Sequence, residues 1–146
     1  TLGSGNVTNN GALIFNRTNA YSVSNVISGT GSLTQNGSGS TTLSGANTYD
    51  GATTVSVGTL VAANATALGS ITGGTSVTSG ATLEINGVTI AGAEAVTING
   101  AGVGSAGALT GTGTAGYAGL ITLGSTSTIG SNSGTFTLSN TGTITG

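Results

Sequence analysis

Apolar and polar residues alternate in short runs along the chain: Leu33-Thr34-Gln35, Thr53-Thr54-Val55-Ser56-Val57, Leu83-Glu84-Ile85-Asn86, Val96-Thr97-Ile98 and Phe136-Thr137-Leu138. Successive side chains of an extended backbone point to opposite faces, so a period of two predicts strands with one face buried and one wet. Gly, Asn and Ser bound each run, and these residues suit sharp corners. Ala-rich stretches are interrupted by Gly every few residues, which argues against helix bundles and coiled coils. The pattern is all-β.

A longer rhythm is laid over this alternation. A β-branched pair, a Gly-containing turn, a small residue and a Leu recur from Val7 to Leu13, Ile27 to Leu33, Val55 to Leu60 and Val77 to Leu83. The unit returns from Ile129 to Phe136, and a looser copy ends at Leu109. The spacing of these large residues, about 20 to 27 positions, is that of a solenoid coil. It predicts a single β-solenoid segment over residues 1–146, with about six parallel coils stacked ~4.8 Å apart into a rod of roughly 30 Å. On this reading Leu13, Leu33, Leu60, Leu83 and Leu109 lie directly over one another inside, with Phe136 continuing the series. Propeller blades of the WD40 type need longer units with aromatic signatures, and none occur.

Composition narrows the function classes. Of 146 residues 29 are Gly, and there is no Pro, Cys, Met, Trp or His. The charged residues are Arg17, Asp50, Glu84 and Glu94, giving a net charge of −2. Absence of Cys removes disulfides and thiol chemistry, and absence of His removes the commonest metal ligand and proton shuttle. A single cationic side chain makes no patch for nucleic acid. With 36% hydrophobic residues the chain has more apolar content than a disordered linker. No run approaches the roughly 20 apolar residues of a membrane-spanning helix. Neither Thr1–Gly5 nor Thr141–Gly146 reads as a cap, so the segment is expected to be a slice of a longer repeat protein. Alternatively its ends meet other copies of itself.

The stretch Gly31 to Ser70 carries a more specific pattern. It runs from G-x-L through a Gly-rich turn to Leu43-Ser44-Gly45, then Asn47, Tyr49 and Gly51, then Thr54-Val55 and finally Gly58 and Leu60. In this it resembles the passenger-associated repeat of bacterial autotransporters, with Asp50 and Ala52 standing where small polar residues or Gly are frequent. The resemblance implies a right-handed parallel β-helix exported through an outer membrane to the cell surface or beyond. It also implies a repeat that assists passenger secretion and folding, in proteins that are often adhesins.

The same block has a reading from its residues alone. Leu43 and Val55 or Val57 face inward, while Asn47-Thr48-Tyr49-Asp50-Gly51 forms a corner. There Asn47 and Asp50 bond to nearby backbone, Gly51 takes a strained φ, and Tyr49 covers the corner with its hydroxyl in water. A carbohydrate-stacking role for Tyr49 is the weaker alternative. Glu84 and Glu94 are the only carboxylates that could be imagined as a glycosidase pair. Their spacing, less than half a coil, puts them on different sides of the rod, and Glu84 between Leu83 and Ile85 points to solvent. Asp50 lacks the further oxygens of a calcium site. Gly111-Thr112-Gly113-Thr114-Ala115-Gly116 spells G-x-G-x-x-G without the strand–helix context that dinucleotide binding needs. Asn6, Asn16, Asn36 and Asn64 stand in glycosylation sequons, which this composition generates by chance.

The pairs Thr112/Thr114, Thr126/Thr128, Thr135/Thr137 and Thr143/Thr145 each place two hydroxyls on one strand face, as some ice-binding solenoids do. The later pairs are too close in sequence to share a face. The sequence therefore points to a non-catalytic stalk or spacer of a secreted or cell-surface passenger. No catalytic, metal-binding or cofactor-binding residue is expected. Its expected partners are neighbouring repeats, other copies of itself or surface glycans. A self-assembling fibre subunit and an ice-binding surface are the alternatives.

Overall fold

The computed structural model describes residues 2–146. Thr1, part of the N-terminal stretch read as uncapped, lies outside the described residues. The first coil contains β1 (Val7–Thr8), β2 (Ala12–Phe15) and β3 (Tyr21–Val23), and the second contains β4 (Ile27–Ser28), β5 (Ser32–Gln35) and β6 (Ser40–Leu43). Then come β7 (Thr53–Val55) and β8 (Thr59–Ala62), and after them β9 (Thr75–Val77) and β10 (Thr82–Asn86). A fifth coil holds β11 (Thr89–Ile90), β12 (Val96–Gly100) and β13 (Leu109–Tyr117); a sixth holds β14 (Ile121–Ser127) and β15 (Ile129–Leu138). Every pairing is parallel. The chain is a parallel β-solenoid of about six turns.

Two long sheets form its main sides. The first runs β2-β5-β7-β9-β12-β14; the second runs β3-β6-β8-β10-β13-β15, with β11 beside β13. The third side has β1 paired with β4 and continues through single backbone bonds, such as Thr48 N–H to Ile27 O and Ser70 N–H to Tyr49 O, both 2.9 Å. Each coil is thus stitched to the next at three places, and alternate residues point into a shared core.

The register corrects one expectation. The five leucines do not form one column. Leu13 lies beside Leu33 in the first sheet, and the next residue in that column is Thr53, followed by Thr75, Val96 and Ile121. Leu60, Leu83 and Leu109 stack in the second sheet, between Thr41 and Ile129. Phe136 pairs with Ala115 rather than continuing either series. The G-x-L signature precedes both sheets because a tight corner precedes both, so one motif marks two positions per circuit. Coil length also varies: Thr41 to Leu60 is 19 residues and Leu83 to Leu109 is 26.

Glycine at the corner before the first sheet answers to crowding more than to φ. Gly11, Gly31, Gly51 and Gly73 each stand two residues before an inward residue of that sheet. A Cβ on Gly51 would overlap the backbone of Gly31, and one on Gly73 would overlap Gly51. Gly51 is not among the residues with positive φ, contrary to the expected strain. At Gly31, Gly51 and Gly73 the corner backbones pass too close for a side chain.

The outer faces differ. Over the second sheet the segment from Gly100 to Ala108, with its 3-10 turn Val103–Ser105, is anchored by Thr82: its hydroxyl donates to Gly107 O at 2.8 Å and accepts from Val103 N–H at 2.9 Å. The first sheet carries outward a line of Thr34, Thr54, Ser76, Thr97 and Thr122, one hydroxyl per coil, extended by a bridge from Thr122 to Thr145.

Candidate functional site

Asn47, Tyr49 and Glu94 place polar groups inside the rod at the third side and at the corner that leads from it into the first sheet. Asn47 is 1% exposed and sits between two other coils. Its Oδ1 accepts from Ile27 N–H at 2.9 Å, and its Nδ2 donates to Ala67 O at 2.7 Å. The amide takes the place of a peptide group in the ladder, reaching 20 residues in each direction rather than to nearby backbone as expected. Losing either bond inside the core would cost about 1–3 kcal/mol per orphaned group.

Tyr49 is fully buried, not wet. Its hydroxyl shares a 2.7 Å hydrogen bond with Thr53 Oγ1, and burial pushes its pKa well above the ordinary tyrosine value. An inward phenol is tolerable because Thr53, at a position held by Leu in the two preceding coils, offers it a partner. Val55 faces inward as expected, but Val57 is 43% exposed, because the chain turns at Gly58 (φ 69°) toward the second sheet.

Glu94 departs most from expectation. It occupies the corner position that is Gly11, Gly31, Gly51 and Gly73 in earlier coils and Gly119 in the next. Its side chain turns inward and is 3% exposed. Oε1 accepts the Thr75 hydroxyl at 2.7 Å, while Oε2 is buried with no hydrogen-bond partner. Tyr117 donates its hydroxyl to the Glu94 backbone carbonyl at 2.8 Å. Desolvation raises the Glu94 pKa, partly offset by the Thr75 hydrogen bond. The sequence names Glu94 as a candidate carboxylate but does not disclose its burial, because Ala neighbours on both sides give no inward or outward phase; its place in a glycine column is the available signal.

The other candidates resolve into structural roles. Glu84 points outward from β10 and accepts the Thr112 hydroxyl at 2.7 Å, whereas the Glu94 carboxyl points inward. Asp50 accepts the Ser70 hydroxyl at 2.7 Å, one coil on. The G-x-G-x-x-G stretch lies within β13, where a Cβ on Gly111 would overlap the Phe136 ring and one on Gly116 would crowd the Thr89 side chain. Those glycines make room for the neighbouring strands. Thr126 on β14 and Thr135 on β15 fall on different sheets as expected, but Thr114 and Thr135 sit side by side in the second sheet. Arg17 lies 4.9 Å over the Tyr21 ring in the first coil. Among the described residues no cluster of three or more potential metal ligands occurs, and no helix is long and apolar enough to cross a membrane.

The stretch that runs from Leu33 in β5, through the Asn47–Tyr49 corner, to Ala62 at the end of β8 decides the relationship. Residues 33–62 match the family model of the passenger-associated-transport-repeat. The repeat thus covers both main-sheet strands of the second coil and most of the third, centred on the corner where Asn47 ties three coils together. The expected resemblance to an autotransporter passenger-type structural repeat holds over this stretch, and the parallel solenoid accommodates it without a break. No curated protein and no solved structure matches the chain.

Proposed function

We propose that the segment is a non-catalytic stalk of an exported, surface-displayed passenger, in which each folded coil supplies the edge on which the next coil docks. The observation that supports this reading is the continuous parallel strand order from β2 to β14, irregular only between Ile98 and Gly100, with the passenger-associated-transport-repeat inside it. A strand edge already fixed removes most of the cost of ordering the following coil, so folding outside the membrane would draw the chain forward. The repeat carries the parts this needs: Leu43 and Leu60 in the core and Asn47 bridging coils. Leu60→Asp in the full-length protein should slow its appearance at the cell surface, followed by protease accessibility in a pulse–chase experiment. Surface delivery at the normal rate of a passenger whose stalk has become protease-sensitive would contradict the proposal.

A further inference from the structure

We propose that the corner pocket at Glu94 binds a primary alkylammonium group, either of a free amine or of a lysine side chain. The proposal concerns this pocket alone and stands whether or not the rod is a stalk. The pocket, about 110 Å³, opens on the third side between the fourth and fifth coils, with Leu68, Gly69, Ile71, Ile90, Gly92 and Glu94 in its lining. Leu68 and Ile90 are each 3% exposed and belong to the core, so the walls are mainly apolar, with the hydroxyl residues Thr66 and Ser70 also in the lining. Ile71, 60% exposed, forms the outer wall against Gly92, where a Cβ would come 3.1 Å from its Cγ2. An exposed side chain of this kind changes rotamer freely and can admit a slender chain.

Chemistry selects the ligand. A carboxyl with one oxygen held by Thr75 and the other unpartnered offers one free acceptor in a mainly apolar surround. Once ionised it is a buried charge without a counterion, a costly arrangement that a cation relieves. Arg17, the single cationic side chain of the protein, is in the first coil against Tyr21 and does not serve Glu94 in the fifth. The groups that face Glu94 are Tyr49, Thr75 and Tyr117, none of them cationic. Metal ions would need several hard oxygen ligands, and only one carboxylate is present. A linear alkylammonium satisfies both halves of the pocket: methylenes against Leu68, Ile71 and Ile90, and the ammonium on Oε2.

Titration of the isotope-labelled segment with n-butylammonium chloride at about pH 8 tests this, because the amine is then charged and pairs with the carboxylate form of Glu94. Saturable amide shifts at Ile71, Ile90 and Gly92 are expected, together with weaker or absent shifts from n-butanol. Glu94→Gln should weaken the response at least ~10-fold, equivalent to about 1.4 kcal/mol. Ile71→Ala, at an exposed position that leaves folding intact, should weaken it as well. N-acetyl-lysine methylamide in a parallel titration separates the sources: a matching response assigns a lysine side chain, and no response assigns free amines. Equal shifts from butanol and butylammonium, an undiminished response in folded Glu94→Gln, or no saturable shift would each overturn the proposal.

Discussion

Leu83→Ala should lower the stability of the rod by about 2–5 kcal/mol, seen as a large drop in the urea midpoint. Leu83 is fully buried with Leu60 on one side and Leu109 on the other in the same sheet. The void left by its side chain cannot collapse readily, because both flanking strands are fixed by backbone ladders to further coils. Ile14→Ala is the matched control: Ile14 is 56% exposed on the outer face of β2, and its loss should change stability by no more than about 0.5 kcal/mol. Similar midpoints for the two variants would mean that the second-sheet column is not the core.

Glu94→Gln should abolish a pH dependence that the natural chain shows, so that the variant gains on the natural chain as pH rises toward neutrality. The Glu94 pKa is raised in the folded state by desolvation. Below the ordinary carboxylate range, both folded and unfolded chains hold the proton and nothing is lost. As pH rises past that range the unfolded chain releases its proton first, so folding stability falls. The full penalty is reached once pH exceeds the raised folded value. The natural chain is therefore expected to be more stable in mild acid than at neutrality, opposite to the usual behaviour of a paired carboxylate. Denaturation midpoints measured from about pH 4 to pH 8 should fall for the natural chain relative to Glu94→Gln. Parallel profiles for the two proteins would show that the carboxyl is hydrated rather than enclosed.

The coil and the corner differ in how much of them the sequence discloses. Alternation such as Leu83-Glu84-Ile85 announces a strand because both phases are visible in neighbouring residues, and Leu83 and Ile85 are buried as it requires. The five-leucine column fails for a geometric reason: two corners per circuit use the same Gly-containing turn, so Leu33 and Leu60 look equivalent while lying on different sheets. Tyr49 reads as wet in the sequence because a phenol beside Asp50 in a polar corner is ordinarily wet. Its partner, Thr53, becomes inward only through the register that sets it beside Leu33. The hydroxyl line from Thr34 to Thr122 is the outward ladder of like residues that stacked coils lead one to expect, although the Thr-x-Thr pairs along the strands do not mark it. Resemblance over residues 31–70 fixed the repeat, and residues 33–62 match it. Glu94 lies beyond that stretch, where only the glycine column could have drawn attention to it.

Stacking of successive coils in parallel register is tested most directly by engineered cysteines, since the chain has none of its own. Ser76 Oγ lies 3.5 Å from Thr54 Oγ1 on adjacent strands of the first sheet. Thr34 and Ser76 share that face two coils apart, about 9.6 Å by strand spacing and beyond disulfide reach. Under mild oxidation Thr54→Cys/Ser76→Cys should close an intramolecular disulfide, while Thr34→Cys/Ser76→Cys should stay reduced. Equal cross-linking of both pairs, or failure of the first, would contradict the parallel solenoid.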